Sequence, residues 1–139
     1  MRIRELLKLY AQRKIRPREV VEECFRKIEE TKHLGAFISL DYDGAMRTAQ
    51  ILEKSLTKKL PPLYGVPIAV KDLIDVAGLK TTAGSLFFKD NFAKDDAFVI
   101  QQLKKAGAII VGKTNLHEIA LGVTNNNPHF GACRNPHDP

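Results

Sequence analysis

The residue whose position most clearly suggests chemistry is Lys71, in the stretch 64–78, YGVPIAVKDLIDVAG. Apolar and small residues alternate before it, which predicts a short strand that ends in a lysine. The small residues Pro67 and Ala69 share its face and leave room beside the amine, whereas Asp72 points the other way. An ammonium group withdrawn from water loses its proton readily, and a neutral lysine is a competent general base. Two interpretations stay open: a base in a pocket, or a lysine that reaches solvent at a strand end.

A second lysine fits the letters of a phosphate-binding loop. Gly107 and the run Gly112-Lys113-Thr114 satisfy the pattern G-x-x-x-x-G-K-T. The residues between the glycines, AIIV at 108–111, are themselves typical of a buried strand. Because an extended apolar run cannot curl its amides around phosphates, the sequence disfavours nucleotide binding.

Two further groups offer weaker chemistry. His129, Cys133 and His137 are spaced by four, but ligands at that spacing share a face only on a helix, which nearby Gly and Pro residues oppose. A zinc site in a loop stays open as an alternative. Among the serines, Ser85 in TTAGS is the best placed nucleophile, yet it lacks a Gly-x-Ser-x-Gly elbow, and a turn or cap role is favoured.

Helices and strands alternate along the chain and predict an α/β fold, with helices concentrated in the first sixty residues. The strand that carries Lys71, a following helix and the AIIV strand form a βαβ-like unit with parallel strands. Asp41 or Asp43 is expected to cap the third helix, and the fourth is expected to start at Asp95 or Asp96. Helices are predicted from residue 3 to about 13, from residue 17 onward, over about 44–56, over 96–106, and briefly over LHEIAL. Strands are predicted over 36–40, 66–71 and 108–113. The tail 125–139 is expected to be irregular.

Length and composition are those of one ordinary globular domain of 139 residues. The net charge of +6 is concentrated near the N-terminus without interleaved aromatic residues, so a solvated helix face is favoured over nucleic-acid binding. No apolar run approaches the roughly 20 residues that span a bilayer, and no membrane association is expected. Two cysteines give no disulfide framework, and the cytoplasm is the default compartment.

Four motifs in order are more specific than any one of them. GVPIAVKD (65–72), TTAGS (81–85), DAFVIQQLKKAGAIIVGKTNLHEIALG (96–122) and NPHFGACRNP (128–136) together resemble the amidase signature family. The resemblance extends from about Tyr64 to the last residue and weakly includes the N-terminal helices. It implies a mixed β-sheet flanked by helices. The chain is then a single partial amidase domain, with a helical part at 1–60 and the start of the core at 61–139. Leu73 stands where many members carry asparagine.

The resemblance also implies a mechanism. Members cleave carboxamides with a serine nucleophile, a second serine held by a cis peptide bond, and a lysine base, and Lys71 matches that lysine. The neutral amine takes the proton of the bridging serine while that serine takes the proton of the nucleophile, and an acyl-enzyme forms. We therefore expect the Lys71 amine to lie in the sheet's interior, poor in water. No cofactor and no metal are implied.

The chain departs from the family pattern after Asn135-Pro136. Both serines normally lie in a Gly- and Ser-rich run shortly beyond that dipeptide, whereas the last residue here is Pro139. We expect an N-terminal part of an amidase that carries Lys71 without either serine and shows no amidase activity by itself.

The expected partners are a small amide substrate in the complete enzyme, and a second copy or a complementary C-terminal chain. A non-catalytic association module is one alternative. Another is the A-type component of a tRNA-dependent amidotransferase, which shares the signature; the stretch VTNNNPHFG (123–131) ranks it below a hydrolase.

Overall fold

The computed structural model describes residues 1–55 and 60–138. Within these residues, four α-helices are joined by strands and short 3-10 turns in a mixed α/β fold, as the sequence predicts. The end predicted for the third helix near residue 56 lies outside the described residues. The helices are α1 Ile3–Ala11, α2 Pro17–Glu30, α3 Tyr42–Lys54 and α4 Phe98–Lys105; the strands are β1 Phe37–Leu40, β2 Pro67–Lys71, β3 Ile109–Thr114, β4 Asn126–Asn127 and β5 Gly131–Ala132.

The main sheet places β3 between the other two long strands. Its order is β1-β3-β2, with β1 antiparallel and β2 parallel to β3. The predicted parallel pairing of 66–71 with 108–113 is therefore confirmed. The central position explains why the AIIV stretch is apolar on both sides, since helices cover both faces of the sheet.

Two separate cores lie on the two faces of β3. Val21 of α2 and Ala49 of α3 pack with Ile109 and Val111 on one face. Ile100 of α4 packs with Val70 and Ile110 on the other face. A third cluster, built from Leu6, Tyr10, Tyr64 and Val66, holds α1 against the start of β2.

The observed helix ends agree in part with those predicted from the sequence. The Asp41 carboxylate accepts a hydrogen bond from the Gly44 backbone N–H at 3.0 Å, so the predicted cap of α3 is confirmed. Gly107 follows α4 with φ +90°, the left-handed conformation that glycine tolerates. Helix α4 begins at Phe98, later than the predicted start at Asp95 or Asp96. Asp96 instead accepts hydrogen bonds from the Ala77 N–H and from Lys104.

The segment after β3 differs from the sequence prediction. Instead of a helix over LHEIAL, one 3-10 turn covers Glu118–Ala120, because the Ile119 N–H donates to Ala83 O and the φ of Ile119 is +51°. Tertiary hydrogen bonds thus replace those of a helix. The tail is not wholly irregular either, since β4 and β5 form a small antiparallel ladder. No helix in residues 1–55 and 60–138 is long and apolar enough to cross a membrane.

Candidate active site

Lys71 is the last residue of β2, beside Thr114 at the end of β3. Its side chain is exposed, and no described residue pairs with its amine. The expectation that this amine lies in the sheet's interior is therefore wrong for the described chain. The physical reason is strand alternation: Ala69, on the same face, is also exposed, while Val70 between them is buried in the core. Lys71 lies in an open, small-residue environment at the carboxyl edge of two parallel strands.

The buried lysine is Lys113, one strand away. A bulge in β3 places it there: Ile68 pairs with Ile110, but the next residue, Ala69, pairs with Gly112. The extra residue reverses the alternation of β3, so Lys113 lies beside Val70 on the face that carries Ile110. The run Gly112-Lys113-Thr114 lies in a strand, as predicted, and not in a phosphate-binding loop.

The Lys113 ammonium group has three donors, and three oxygen atoms lie 2.9 Å from its nitrogen. They are the Asp72 carboxylate Oδ1, the Lys80 carbonyl and the Thr81 hydroxyl. The Lys113 and Asp72 side chains are both 0% exposed. Such a pair is tolerable inside a protein only because each charge meets an opposite charge and further hydrogen bonds.

Asp72 connects this pair to the TTAGS segment. Its Oδ2 accepts from both the backbone N–H and the hydroxyl of Thr82, and its carbonyl accepts from the Ala83 N–H at 2.9 Å. The sequence correctly predicts that Asp72 does not pair with Lys71. The sequence prediction missed Lys113, Thr81 and Thr82 as a connected group. The residue directly after Lys71 is thus anchored on both its side chain and its backbone.

Ser85 ends the same segment and is buried. Its hydroxyl accepts from the Phe87 N–H at 3.3 Å and begins the 3-10 turn 86–88, so the predicted cap role is confirmed. Hydrogen bonds from Ser85 and His129 lower the pKa of Glu118, which lies 3.0 Å from the His129 ring. His129 is thus paired with a carboxylate, and the described residues contain no group of three His, Cys, Asp or Glu side chains arranged for a metal.

Strained backbone occurs in the anchored segment and in the turn bonded to it. Ala83, Ile119 and Ala120 have φ between +51° and +57°, a conformation that side-chain-bearing residues rarely adopt; Arg13 and Asn125 share it elsewhere in the described chain. Ala83 and Ile119 are hydrogen-bonded to each other, and Ala83 is also bonded to Asp72. Residues held in such conformations cluster at functional sites, because surrounding structure must over-determine them.

Comparison with known proteins identifies the family. Residues 19–139 match the family model described as Amidase. The chain belongs to the amidase signature family. The Lys71 strand, the anchored TTAGS segment and β3 all lie within the matched residues.

Curated relatives of this family member are components of an amidotransferase. The chain is 42% identical over 121 residues to the A-type component of glutamyl-tRNA(Gln) amidotransferase from Legionella pneumophila (strain Corby). It is 44% identical over 119 residues to the protein of the same name from Lawsonia intracellularis. These alignments cover 86% and 85% of the chain but 25% and 24% of the relatives. The chain therefore spans about a quarter of their length.

Solved structures, an amidase among them, share the fold. A protein described in work on the origins of an s-triazine catabolic enzyme superposes with a TM-score of 0.94 at 37% identity, over 99% of this chain and 31% of that one. A bacterial aryl acylamidase of the amidase signature family superposes with a TM-score of 0.93 at 28% identity, over 99% of this chain and 30% of that one.

Proposed function

We propose that this chain supplies the lysine base of an amide-cleaving active site, and that Lys71 is that base. One observation carries the proposal: the motif lysine lies at the end of a strand, exposed and unpaired among the described residues, directly before a residue that a buried network fixes. An amine that already served structure would not be free to move a proton. The structural lysine here is Lys113, which leaves Lys71 for chemistry.

The reaction follows from the family's chemistry. In the larger protein, the neutral Lys71 amine takes the proton of a bridging serine hydroxyl, which in turn takes the proton of the nucleophilic serine. The nucleophile then attacks the carbonyl carbon of a small amide. The proton taken up by Lys71 returns through the bridging serine to the amide nitrogen, so that a neutral amine leaves as the acyl-enzyme forms. Because the described chain leaves Lys71 exposed, the remaining three-quarters of such a protein would have to cover it and exclude water.

A chimera tests the role of Lys71. Residues 1–139 replace the matching segment of the aryl acylamidase, and hydrolysis of 4-nitroacetanilide, an aryl acylamide, is followed by release of 4-nitroaniline. Removing a general base costs at least about 100-fold in rate, so Lys71→Met should lower kcat by that factor or more. Lys105→Met, an exposed lysine at the end of α4, serves as the control and should retain activity. Equal activity of the Lys71→Met and parent chimeras would refute the proposal.

A second candidate function is that of the A-type component of an amidotransferase. The curated relatives of that name are 36–44% identical to the chain, compared with 28% for the aryl acylamidase. Lys71 would have the same role in both activities, because both begin with attack on a carboxamide. Co-purification of a B-type component with the tagged protein from its own cells would support this candidate, and its absence would favour a hydrolase.

Association with another chain is a further part of the proposal. In the described residues, β1 and β2 each pair on one side only, with β3, and unpaired strand edges invite pairing. A second copy or a complementary C-terminal chain would then complete the sheet. A purely monomeric mass for the chain at high concentration, alone and with such a complement, would contradict this part.

A further inference from the structure

We infer that the buried Asp72–Lys113 ion pair is a positioning device for Lys71, which fixes the end of β2 and the segment 80–84 in the geometry that proton transfer requires. This inference rests on the proposed function, because it assigns a role to two residues that act through Lys71. Neither residue faces the same side of β2 as Lys71, and neither would touch a substrate.

The hydrogen bonds of the Asp72 and Lys113 side chains are all made with the segment 80–84. Lys113 binds the carbonyl of Lys80 and the hydroxyl of Thr81, while Asp72 binds both donors of Thr82. The Thr82 hydroxyl also accepts from the Gly84 N–H at 3.1 Å. The pair thus joins β2, β3 and the segment 80–84 at the position next to Lys71.

The direct neighbour of Lys71 is held by its backbone as well. The Asp72 N–H donates to Thr114 O at 3.2 Å, and the Asp72 carbonyl accepts from Ala83. An exposed lysine at a strand end ordinarily samples many positions. Here the next residue fixes the Lys71 Cα atom, so that the positions open to the amine are limited to those that its side-chain rotamers allow. A misplacement of about 1 Å can cost about 100-fold in rate.

The energetics of buried ion pairs argue for a role beyond stability. Two well-packed apolar side chains in place of a buried pair are often as stable as the pair or more so, whereas loss of one partner is strongly destabilising. A pair kept only for stability is therefore replaceable. Apolar side chains would, however, form no hydrogen bond with Thr81, Thr82 or the Lys80 carbonyl, so that the segment would lose its anchors while the sheet stayed packed.

The first experiment uses the double variant Asp72→Leu/Lys113→Met in the aryl acylamidase chimera. We expect the chimera to stay folded, with a smaller loss of thermal stability than Lys113→Met alone causes because no buried charge is left unpaired. The kcat should be lower by about 100-fold and KM within about threefold, because positioning affects the reacting groups and not uniform binding. The matched control is Asp96→Leu/Lys104→Met, a surface pair at 2.8 Å that also binds a backbone amide, that of Ala77. The control should keep its kcat.

The second experiment uses the 139-residue chain itself and needs no activity. Hydrogen exchange at the Thr82 and Ala83 amides, which donate to Asp72, should become at least about tenfold faster in the Asp72→Leu/Lys113→Met variant. The amides of Ile110 and Val111 in β3 should keep their protection.

The outcomes separate the two proposals. If Lys71→Met abolishes turnover but the double variant keeps both kcat and slow exchange at Thr82, the positioning role is wrong and the base assignment stands. If Lys71→Met retains turnover, the proposed function fails, whatever the exchange data show. Slow exchange at Thr82 and Ala83 in a folded double variant overturns the positioning role even where the chimera is inactive.

Discussion

Lys71 ends β2 and Lys113 directly precedes the last residue of the neighbouring parallel strand β3, yet their environments are opposite. Lys113 is fully buried and its ammonium group contacts three oxygen atoms at 2.9 Å. Lys71 is exposed and has no partner among the described residues. A bulge in β3 causes this difference in burial, because it turns Lys113 into the core while the regular alternation of β2 turns Lys71 outward.

Burial by itself therefore does not identify the lysine that is better suited to act as a base. A buried lysine with an opposite charge and two hydrogen-bond acceptors around its amine is held in place by these contacts. A lysine that is fixed at its backbone but free at its amine is better suited to a base, provided that another part of the protein removes water from it. In the proposed function, these two tasks belong to two different residues, Lys113 and Lys71.

The largest expected effect separates the two lysines by stability. Lys113→Met leaves the Asp72 carboxylate buried without its counter-charge and should lower the free energy of unfolding by about 3–5 kcal/mol. Lys71→Met removes an exposed side chain and should change it by less than about 0.5 kcal/mol. Urea unfolding of both variants, followed by circular dichroism, measures the difference. Similar losses in the two variants would show that the described environments do not hold in solution.

The sequence could predict Lys71 but not its counterpart. Lys71 follows an alternating strand and belongs to an ordered motif, both of which are local signals. Lys113 has a local signal too, a lysine directly after a fully apolar run, but its meaning depends on which strand lies beside β3. That pairing joins residues about forty positions apart, and the bulge that turns Lys113 inward leaves no mark in the periodicity.

The failed helix over LHEIAL has the same cause. Its apolar spacing is helical, but the Leu116 carbonyl accepts from the Asn127 side chain and the Ile119 N–H donates to Ala83. These partners are distant in sequence and outcompete the local hydrogen bonds. The elements that the sequence predicts well, β1 to β3 and the first four helices, are those whose own residues decide their structure; the site is formed by contacts between them.

A smaller effect tests how closely the anchored segment is packed. An alanine Cβ at Gly84 would lie 2.6 Å from the Asn127 side-chain nitrogen and 3.1 Å from Leu116 O, whereas at Gly78 it would meet nothing within 4 Å. Both glycines have positive φ, +66° and +82°, so both substitutions strain the backbone. Overpacking should lower the free energy of unfolding by a further 1–3 kcal/mol, roughly, in Gly84→Ala and not in Gly78→Ala. Thermal unfolding of Gly84→Ala and Gly78→Ala gives the comparison, and equal losses would contradict the close packing around the Lys113 side of the site.

The smallest effect concerns the outer layer of that segment, where Glu118 meets His129. Hydrogen bonds from Ser85 and His129 lower the pKa of Glu118 from its ordinary value of 4.5 in the folded chain. A carboxylate with a depressed pKa contributes stability that is fully present above its unfolded value and is lost as the pH falls through the folded value. The free energy of unfolding should therefore decrease as the pH is lowered from neutral to below 4.5, and this decrease should be smaller in Glu118→Gln. Glu22→Gln, an exposed position on α2, should leave the decrease unchanged.

The Glu118→Gln variant also shows where the anchoring of the segment begins. Because the Ile119 N–H in the turn 118–120 donates to Ala83 O, this variant at neutral pH should speed hydrogen exchange at Ile119, whereas the Thr82 amide, which donates to the fully buried Asp72, should keep its protection. Faster exchange at Thr82 with unchanged exchange at Ile119 would show that the anchoring begins at the surface and not at the Asp72–Lys113 pair.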